Sequence, residues 1–218
     1  MAIIITPDSD GSFIAEAHSI MREGGVIAYP TETFYGLGAD PRNVQALEKL
    51  YVVKGRGFNK PISIIIGNRE DLPHCAQEIS PAATILMKQF WPGGLTLLFQ
   101  AASGFPERLT GGTGKIGVRL SSHPVATLLA QNISGAITAT SANRSGGVEC
   151  VSAQEVITRL GEAIDAVIDG GRTPGGAGST IVDTTVDPPV VIREGIVAVS
   201  EISRWIRNVK GSSLRQRV

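Results

Sequence analysis

The chain has 218 residues, of which 42% are hydrophobic, and its 20 Lys and Arg residues balance its 20 Asp and Glu residues. This permits one large domain or two small ones with a sizeable core, and it speaks against a protein that binds nucleic acid through overall charge. Two cysteines without ligand spacing, no signal-peptide pattern and no apolar run near ~20 residues predict a cytoplasmic protein without membrane contact.

Helical patterns recur along the chain, and most have a recognisable start. Ser12 would cap the first helix, Asn43 the second and Ser80 the third. Ser152 and Glu155 form a capping box for a later helix. The predicted helices cover, in chain order, 12–25, 43–55, 80–94, 124–131, 152–160 and 199–208.

Short apolar runs between these helices predict strands. They lie at 26–29, 62–66, 95–99, 116–120, 136–140, 166–169, 179–183 and 190–194. This alternation predicts an α/β (α+β) fold on a twisted sheet, whose strand order the sequence does not give. No repeat or Pro/Ser-rich linker divides the chain. We therefore predict one domain over 1–206 and a basic, disordered tail over 207–218.

The common nucleotide and metal motifs are absent or fail on context. GTGKIG (112–117) matches G-x-G-x-x-G, but a strand pattern follows it where the dinucleotide fingerprint requires a helix. The three histidines have no ligand-like spacing and are expected to be surface or cap residues. Cys75 and Cys150 are expected to be packing residues, and no protein metal site is predicted.

Two polar segments in the first third of the chain are candidates for ligand binding. YPTETFYGLGAD (29–40) follows a strand, and its hydroxyls suit either a small polar ligand or the backbone of a turn. KGRGFNKP (54–61) places Lys54, Arg56 and Lys60 on backbone that two glycines loosen. These cations suit a phosphate or carboxylate, although such a run is commonly a solvated loop.

Two further polar segments lie in the second half. TATSANRSGG (138–147) places Ser141 and Asn143 at the end of a strand, where open α/β sheets bind ligands. The alternative is a turn rich in Ser and Asn. GGRTPGGAGST (170–180) is a glycine-rich loop that ends in Ser179 and Thr180.

Arg119 and Arg193 lie within otherwise apolar strand patterns. Such an arginine rarely lacks an anionic partner. An Asp or Glu of the chain is the simpler partner for either one. Two such arginines beside a cationic segment favour an anionic substrate.

The motifs PTETFYGLG, K-x-R with KPIS, GVRL, TSANRSG, GGRTPGGAGST with IVD, and IREG occur in this order. From about Gly24 to Ile202 the chain resembles the YrdC/TsaC family of L-threonylcarbamoyladenylate synthases. The resemblance implies a twisted mixed sheet with flanking helices around a basic cavity. It also implies that ATP, L-threonine and bicarbonate give threonylcarbamoyl-AMP and pyrophosphate, with Mg²⁺ accompanying ATP. Proteins of a transferase complex would then modify an adenosine of tRNA.

Carried over by resemblance, the residues divide into three groups. Thr33, Arg119 and Ser179 would bind L-threonine, with Arg119 taking its carboxylate. Lys54 and Arg56 would be the catalytic K-x-R pair. The residues expected at the nucleotide are Arg56, Lys60, Lys115, Ser141, Asn143 and Arg193. A carbamate is already a nucleophile, so fixed cations and positioning matter more than a general base.

The chain differs from some family members, and two alternative functions are considered. Longer members carry a second domain, so the chain resembles the short form with a more open site. Some longer members have a histidine on the strand after the KP motif, where this chain has three isoleucines at 64–66. A paralogous branch lacks K-x-R and S-x-N, which this chain keeps. One alternative is a non-catalytic module that binds double-stranded RNA or tRNA in the same cavity. The neutral net charge and the low aromatic content of 5% speak against this alternative. A carbamoyl-adenylate domain of hydrogenase maturation would sit in a larger, cysteine-rich chain.

Overall fold

The computed structural model describes residues 1–8 and 11–211, in which eleven strands form one mixed sheet. The strands are β1 (Ile3–Ile5), β2 (Ile27–Pro30), β3 (Tyr35–Gly38), β4 (Ser63–Ile66), β5 (Leu95–Gln100), β6 (Lys115–Leu120), β7 (Ala136–Ser141), β8 (Ala166–Ile168), β9 (Thr180–Asp183), β10 (Val190–Arg193) and β11 (Lys210–Gly211). The predicted α/β class with flanking helices is confirmed.

Seven α-helices flank this sheet within the described residues. They are α1 (Ser12–Arg22), α2 (Val44–Lys54), α3 (Pro81–Phe90), α4 (Glu107–Thr110), α5 (Pro124–Asn132), α6 (Ala153–Leu160) and α7 (Val199–Ile202), with a 3-10 helix at Arg69–His74. The side chains of Asn43, Ser80 and Ser152 each accept a hydrogen bond from the backbone N–H three residues ahead, which confirms these caps.

The predicted cap at Ser12 is wrong. Ser12 is the first residue of α1, and the capping position belongs to Gly11, whose φ of 77° lies in the left-handed region. The final helix is also shorter than predicted, because α7 ends at Ile202. Within the predicted tail, β11 pairs with β10, and residues 212–218 lie outside the described part of the chain.

The strand order is β1-β8-β2-β3-β7-β4-β6-β5-β9-β10-β11. β1, β8 and β2 are parallel, as are the pairs β4–β6, β5–β9 and β10–β11. The other neighbours are antiparallel. Strands far apart in sequence therefore lie side by side at the centre of the sheet, where β7 separates β3 from β4.

Alternate strand residues bury their side chains on opposite faces of the sheet. Ile64 and Ile66 belong to the larger core cluster, which also includes residues of α2, α3, α6 and α7. Ile65 belongs to a smaller cluster with residues of α1 and α5. This second face carries only two of the seven helices in its core, and the residues on the rest of it form the cavity described below.

The strand β3 was not predicted, because YGLG was taken as part of a polar loop. Its backbone pairs with both β2 and β7. Gly36 and Gly38 lie against the ring of Tyr29, and a Cβ at Gly38 would come 2.9 Å from Cε1 of Tyr29. The glycines therefore make room for a buried tyrosine. Among the described residues, no helix is long and apolar enough to cross a bilayer.

Candidate functional site

A cavity of about 480 Å³ lies on the second face of the sheet, beyond the residues covered by α1 and α5. Its floor is formed by side chains from five strands: Ser63 of β4, Thr96 of β5, Arg119 of β6, Ala139 of β7 and Ile181 of β9. Ser63 and Ala139 are paired in register, as are Thr96 and Ile181. The sheet thus fixes the relative positions of these residues.

Gly117 allows the floor to close. A Cβ at this position would lie 2.5 Å from Oγ of Ser63 and 3.2 Å from Cγ2 of Thr96. The first distance is shorter than any normal contact, so a side chain here would displace the two neighbouring hydroxyl residues. The glycine of the GVRL motif therefore has a packing role beside Arg119.

Arg119 is buried in the floor, with 6% of its surface exposed. Its Nη1 lies 3.2 Å from Oε1 of Glu32. The Nε atom is buried and has no hydrogen-bond partner among the described residues. The acidic partner expected for a strand arginine is therefore present, and the guanidinium keeps donor capacity for a further anion.

Glu32 was not predicted as a site residue. It lies in the turn between β2 and β3, where its second carboxylate oxygen accepts a hydrogen bond from Oγ of Ser121. A buried strand arginine signals that some acid must be near, but the sequence contains 20 acids and does not say which one folds back to it.

Thr31 and Thr33 flank Glu32, and both line the cavity. Their hydroxyls lie 3.1 Å apart, and that of Thr31 also donates to the carbonyl of Phe34 at 2.7 Å. Both residues are almost fully buried. The predicted residue Thr33 is thus brought into the same cavity as Arg119.

Ser179 and Arg193 form another wall of the cavity. The Oγ of Ser179 accepts a hydrogen bond from Thr96 at 2.9 Å, and Nη2 of Arg193 donates to the carbonyl of Ser179 at 2.8 Å. No ion pair of Arg193 occurs within the described ranges. Burial lowers the pKa of Arg193, as does the nearby charge of Arg119.

Lys54 is the last residue of α2 and is buried, so it is not the loosely held cation that its segment suggested. Its Nζ donates to the carbonyl of Ser141 at 2.6 Å and to Oδ1 of Asn143 at 2.7 Å. The pKa of Lys54 is lowered to about 7, chiefly by burial and also by the charge of Arg56, while Glu149 opposes the shift. The helix ends here because Gly55 adopts the left-handed conformation, with φ 59°.

Ser141 and Asn143 come together as a pair at the end of β7. The Ser141 hydroxyl donates to Oδ1 of Asn143 at 2.7 Å, and the Asn143 amide donates to the carbonyl of Gly147. Oδ1 of Asn143 therefore accepts from both Lys54 and Ser141. The K-x-R and S-x-N segments, 87 residues apart in sequence, form one hydrogen-bonded unit.

Arg56 also lines the cavity. Its guanidinium lies 5.6 Å from the centre of the Tyr51 ring, and Nη2 is 3.3 Å from the carbonyl of Pro61. Nε is buried without a hydrogen-bond partner in the described part of the chain, and burial lowers the pKa. The Tyr51 hydroxyl contacts the carbonyls of Lys60 and Arg108, which holds the segment in place.

Lys60 and Lys115 do not line the cavity. Lys60 is exposed, and Lys115 forms an ion pair with Asp183 at 2.7 Å. Burial acts to raise the pKa of Asp183, but hydrogen bonds from Lys115 and Thr185 lower it overall. The phosphate contacts expected of these two lysines stay predictions.

Positive charge dominates the cavity wall. The lining side chains include four cations, Lys54, Arg56, Arg119 and Arg193, and one acid, Glu149. The described residues contain no group of three or more His, Cys, Asp or Glu side chains that could hold a metal ion. This arrangement suits a ligand that carries several negative charges.

The histidines and cysteines lie outside the residues that line this cavity. His123 precedes α5, and His74 is exposed. Cys75 and Cys150 are buried free thiols, as expected for packing residues, and burial raises the pKa of each.

Comparison with known proteins places this geometry in a family. A family model described as "Telomere recombination", for Sua5, YciO and YrdC, matches residues 19–195. The threonylcarbamoyl-AMP synthase of Pyrococcus abyssi is 38% identical over 194 residues, which are 89% of this chain and 57% of that protein. The putative threonylcarbamoyl-AMP synthase of Mycobacterium tuberculosis H37Rv is 32% identical over 95% of each chain.

A solved structure of a relative has the same fold as this chain. The structure of Pyrococcus abyssi Sua5 complexed with L-threonine has a TM-score of 0.91 and 36% identity to this chain, covering 97% of this chain and 62% of that one. This chain therefore spans little more than half of the Pyrococcus relative and nearly all of the mycobacterial one. The matched residues include every cavity-lining strand, and the chain belongs to the Sua5/YciO/YrdC family.

Proposed function

We propose that this protein is an L-threonylcarbamoyladenylate synthase, which converts ATP, L-threonine and bicarbonate to threonylcarbamoyl-AMP and pyrophosphate. The observation that carries the proposal is one cavity with two different cation sites. Arg119 is paired with Glu32 on one side, and Lys54 is held by Ser141 and Asn143 on the other. A reaction that joins a carboxylate-bearing amino acid to a nucleotide needs two such sites side by side.

The Arg119 side suits the amino acid. The guanidinium can take the α-carboxylate of threonine, because it lines the cavity and has five N–H donors, of which the Glu32 ion pair is made at Nη1. Thr33 and Ser179 offer hydroxyls on neighbouring walls of the cavity. The Pyrococcus relative whose structure contains L-threonine has the same fold at 36% identity, which supports this assignment.

The Lys54 side suits the nucleotide. Lys54 and Arg56 supply charge for the α-phosphate, at which the threonine carbamate would attack while pyrophosphate leaves. Their role is to stabilise the charge that develops on the transferring phosphoryl group. Ser141 and Asn143 hold Lys54, and Arg193 adds a cation on the same cavity wall as Ser179.

Mg²⁺ fits this proposal as a companion of ATP. Mg²⁺ in such sites is bound by one or two carboxylates together with substrate phosphates. Glu149 is the acid among the lining residues, and Glu32 is already engaged with Arg119 and Ser121. Glu149 would therefore hold the ion, which would neutralise phosphate charge when bound.

The proposal also includes the next step. Threonylcarbamoyl-AMP would pass in the cytoplasm to proteins of a tRNA threonylcarbamoyl-transferase complex, which modify an adenosine of tRNA. Direct contact with tRNA stays a prediction. The support for this step is the similarity to proteins named threonylcarbamoyl-AMP synthase.

The experiment that tests the proposal is pyrophosphate release from ATP and bicarbonate, with L-threonine, with L-serine and with no amino acid. We expect release that depends on threonine and is weaker with serine. Folded protein that releases no pyrophosphate with threonine, but binds tRNA in a salt-sensitive manner, would contradict the synthase and favour an RNA-binding module.

A further inference from the structure

Glu32 lies behind the cavity wall, between two residues that line it. Its side chain is 13% exposed, its Oε1 is buried, and it is not among the residues that line the cavity. We infer that Glu32 is a positioning residue that orients Arg119 toward the carboxylate of the amino-acid substrate and thereby sets the affinity for that substrate. This inference rests on the proposed function.

The carboxylate of Glu32 contacts two residues, Arg119 in β6 and Ser121 just after the end of β6. One oxygen lies 3.2 Å from Nη1 of Arg119, and the other accepts from the hydroxyl of Ser121. The Ser121 hydroxyl in turn accepts a hydrogen bond from the backbone N–H of His123 at 3.1 Å, just before α5. The Ser121 hydroxyl therefore holds one carboxylate oxygen by a hydrogen bond. The other oxygen is buried beside Arg119 in an ion pair and makes no hydrogen bond within the described residues.

The pairing leaves Arg119 able to bind a second anion. A guanidinium has five N–H donors, and the ion pair with Glu32 is made at Nη1. The buried Nε is without a protein partner in the described ranges. A carboxylate in the cavity can thus bind guanidinium N–H groups that Glu32 does not engage, while Glu32 holds the side chain in place.

The hydroxyl pair at the cavity wall lies in the same turn as Glu32. Thr31 and Thr33 stand on either side of Glu32 in one turn, and their hydroxyls lie 3.1 Å apart. A shift of this turn would move Thr33 together with Glu32, because the two residues are adjacent in the chain, and Glu32 is the ion-pair partner of Arg119. Within the described residues, no hydrogen bond joins Thr33 or Arg119 to the group formed by Lys54, Ser141 and Asn143. Substitution of Glu32 should therefore leave ATP binding unchanged.

The groups that face Glu32 set its electrostatic role. They are Arg119, the Ser121 hydroxyl, the buried phenol of Tyr29 and the imidazole of His123. Burial lowers the pKa of His123, and the charge of Glu32 opposes that shift. Replacing Glu32 by Gln keeps the shape but removes the charge that pairs with Arg119. A buried charge that loses its partner reorganises or weakens its site.

The test is a double-mutant cycle of Glu32→Gln and Arg119→Lys, with the KM values for L-threonine and for ATP measured separately. We expect Glu32→Gln to raise the KM for threonine about tenfold and to leave the KM for ATP within about twofold. In the Arg119→Lys background, Glu32→Gln should add less than about twofold, because its effect passes through Arg119.

Two further variants keep the test independent of folding. Ser121→Ala, which removes the second anchor of Glu32, should raise the threonine KM in the same direction by a smaller factor. Glu48→Gln removes a half-exposed ion pair with Arg108, away from the cavity lining, and should change neither KM. Equal rises in both KM values, an unchanged threonine KM, or full additivity of the two substitutions would overturn the inference.

These outcomes separate the inference from the proposed function. If the wild-type protein releases no pyrophosphate with threonine, the proposed function fails and takes the role of Glu32 with it. If the wild-type protein is active and Glu32→Gln has a normal threonine KM, only the role of Glu32 fails.

Discussion

The two sides of the cavity neutralise their buried cations in different ways. On one side Arg119 lies 3.2 Å from the carboxylate of Glu32, so its charge has a permanent counter-ion. On the other side the Nζ of Lys54 has two uncharged oxygen acceptors, on Ser141 and Asn143. Both side chains are more than nine-tenths buried, so the difference lies in their partners.

This difference assigns different work to the two cations. A guanidinium with a counter-ion stays charged and rigid, which suits recognition of one carboxylate. A buried ammonium without a counter-ion is disfavoured in its charged form, so its pKa falls. For Lys54 the pKa is lowered to about 7, chiefly by burial. An arriving polyphosphate would supply the missing negative charge. The Lys54 side should therefore respond to pH and to phosphate, and the Arg119 side should not.

The largest effect is expected from Lys54→Met, which removes the charge and keeps much of the side-chain volume. Loss of one fixed group that stabilises a transition-state charge costs about 10²–10³-fold in kcat. We expect a loss of this size in threonine-dependent pyrophosphate release. Circular dichroism of the variant should match the wild type. A kcat within threefold of wild type would contradict the catalytic role of Lys54.

The second prediction concerns the pH dependence of nucleotide binding. Well below pH 7 Lys54 is charged both with and without ATP, so this lysine should add no pH dependence to the affinity there. Above its pKa of about 7 the free protein must take up a proton to bind the anion, and affinity should fall by up to about tenfold per pH unit.

Calorimetry in two buffers of different ionisation enthalpy measures this proton uptake directly. The Lys54→Met variant is the control for protonation of ATP itself. In this variant, the proton uptake that we attribute to Lys54 should be absent. Threonine binding should show no such step between pH 6 and 8, because an arginine does not titrate there. A threonine step equal to that of ATP would break the comparison between the two sides.

A smaller effect is expected from Ser141→Ala. The hydroxyl donates to Asn143, and losing one such hydrogen bond costs about 0.5–1.5 kcal/mol, or up to about tenfold in affinity. ATP binding should weaken by this factor, while the KM for threonine stays near that of wild type. An unchanged Kd for ATP would remove Ser141 from the nucleotide site.

The smallest effects are expected from Lys60→Ala and Lys115→Ala. Lys60 is exposed, and the charge of Lys115 is paired with Asp183 outside the cavity lining. Neither lysine lines the cavity, and a charge at the surface contributes about 0–1 kcal/mol, so each variant should change the KM for ATP by less than about threefold. A larger rise would support the phosphate contacts that the family resemblance assigns to these lysines.

Much of the fold could be predicted because its signals are local. The caps at Asn43 and Ser80 and the apolar strands need only a few adjacent residues. The strand β3 escaped prediction because Tyr-Gly-Leu-Gly has weak β-propensity, and its pairing with β2 and β7 is decided by the space around Tyr29.

The site was predicted to a different depth on each side. K-x-R and S-x-N were recognised as motifs, but their hydrogen-bonded union spans 87 residues and could not be read from spacing. Burial of Lys54 was missed because its charge and the adjacent glycine suggested an exposed loop. Glu32 was missed because its partner in β6 is also 87 residues away, and any of the chain's acids could have paired with Arg119.

The mass of the product formed from ATP, L-threonine and ¹³C-bicarbonate tests most directly whether this cavity joins a threonine carbamate to the nucleotide. We predict an adenylate that contains threonine and gains one mass unit from the label, because the carbamate carbon comes from bicarbonate. The same product should be lost in Lys54→Met. A threonine adenylate that carries no label, or AMP alone, would contradict the claim that this cavity joins a threonine carbamate to the nucleotide.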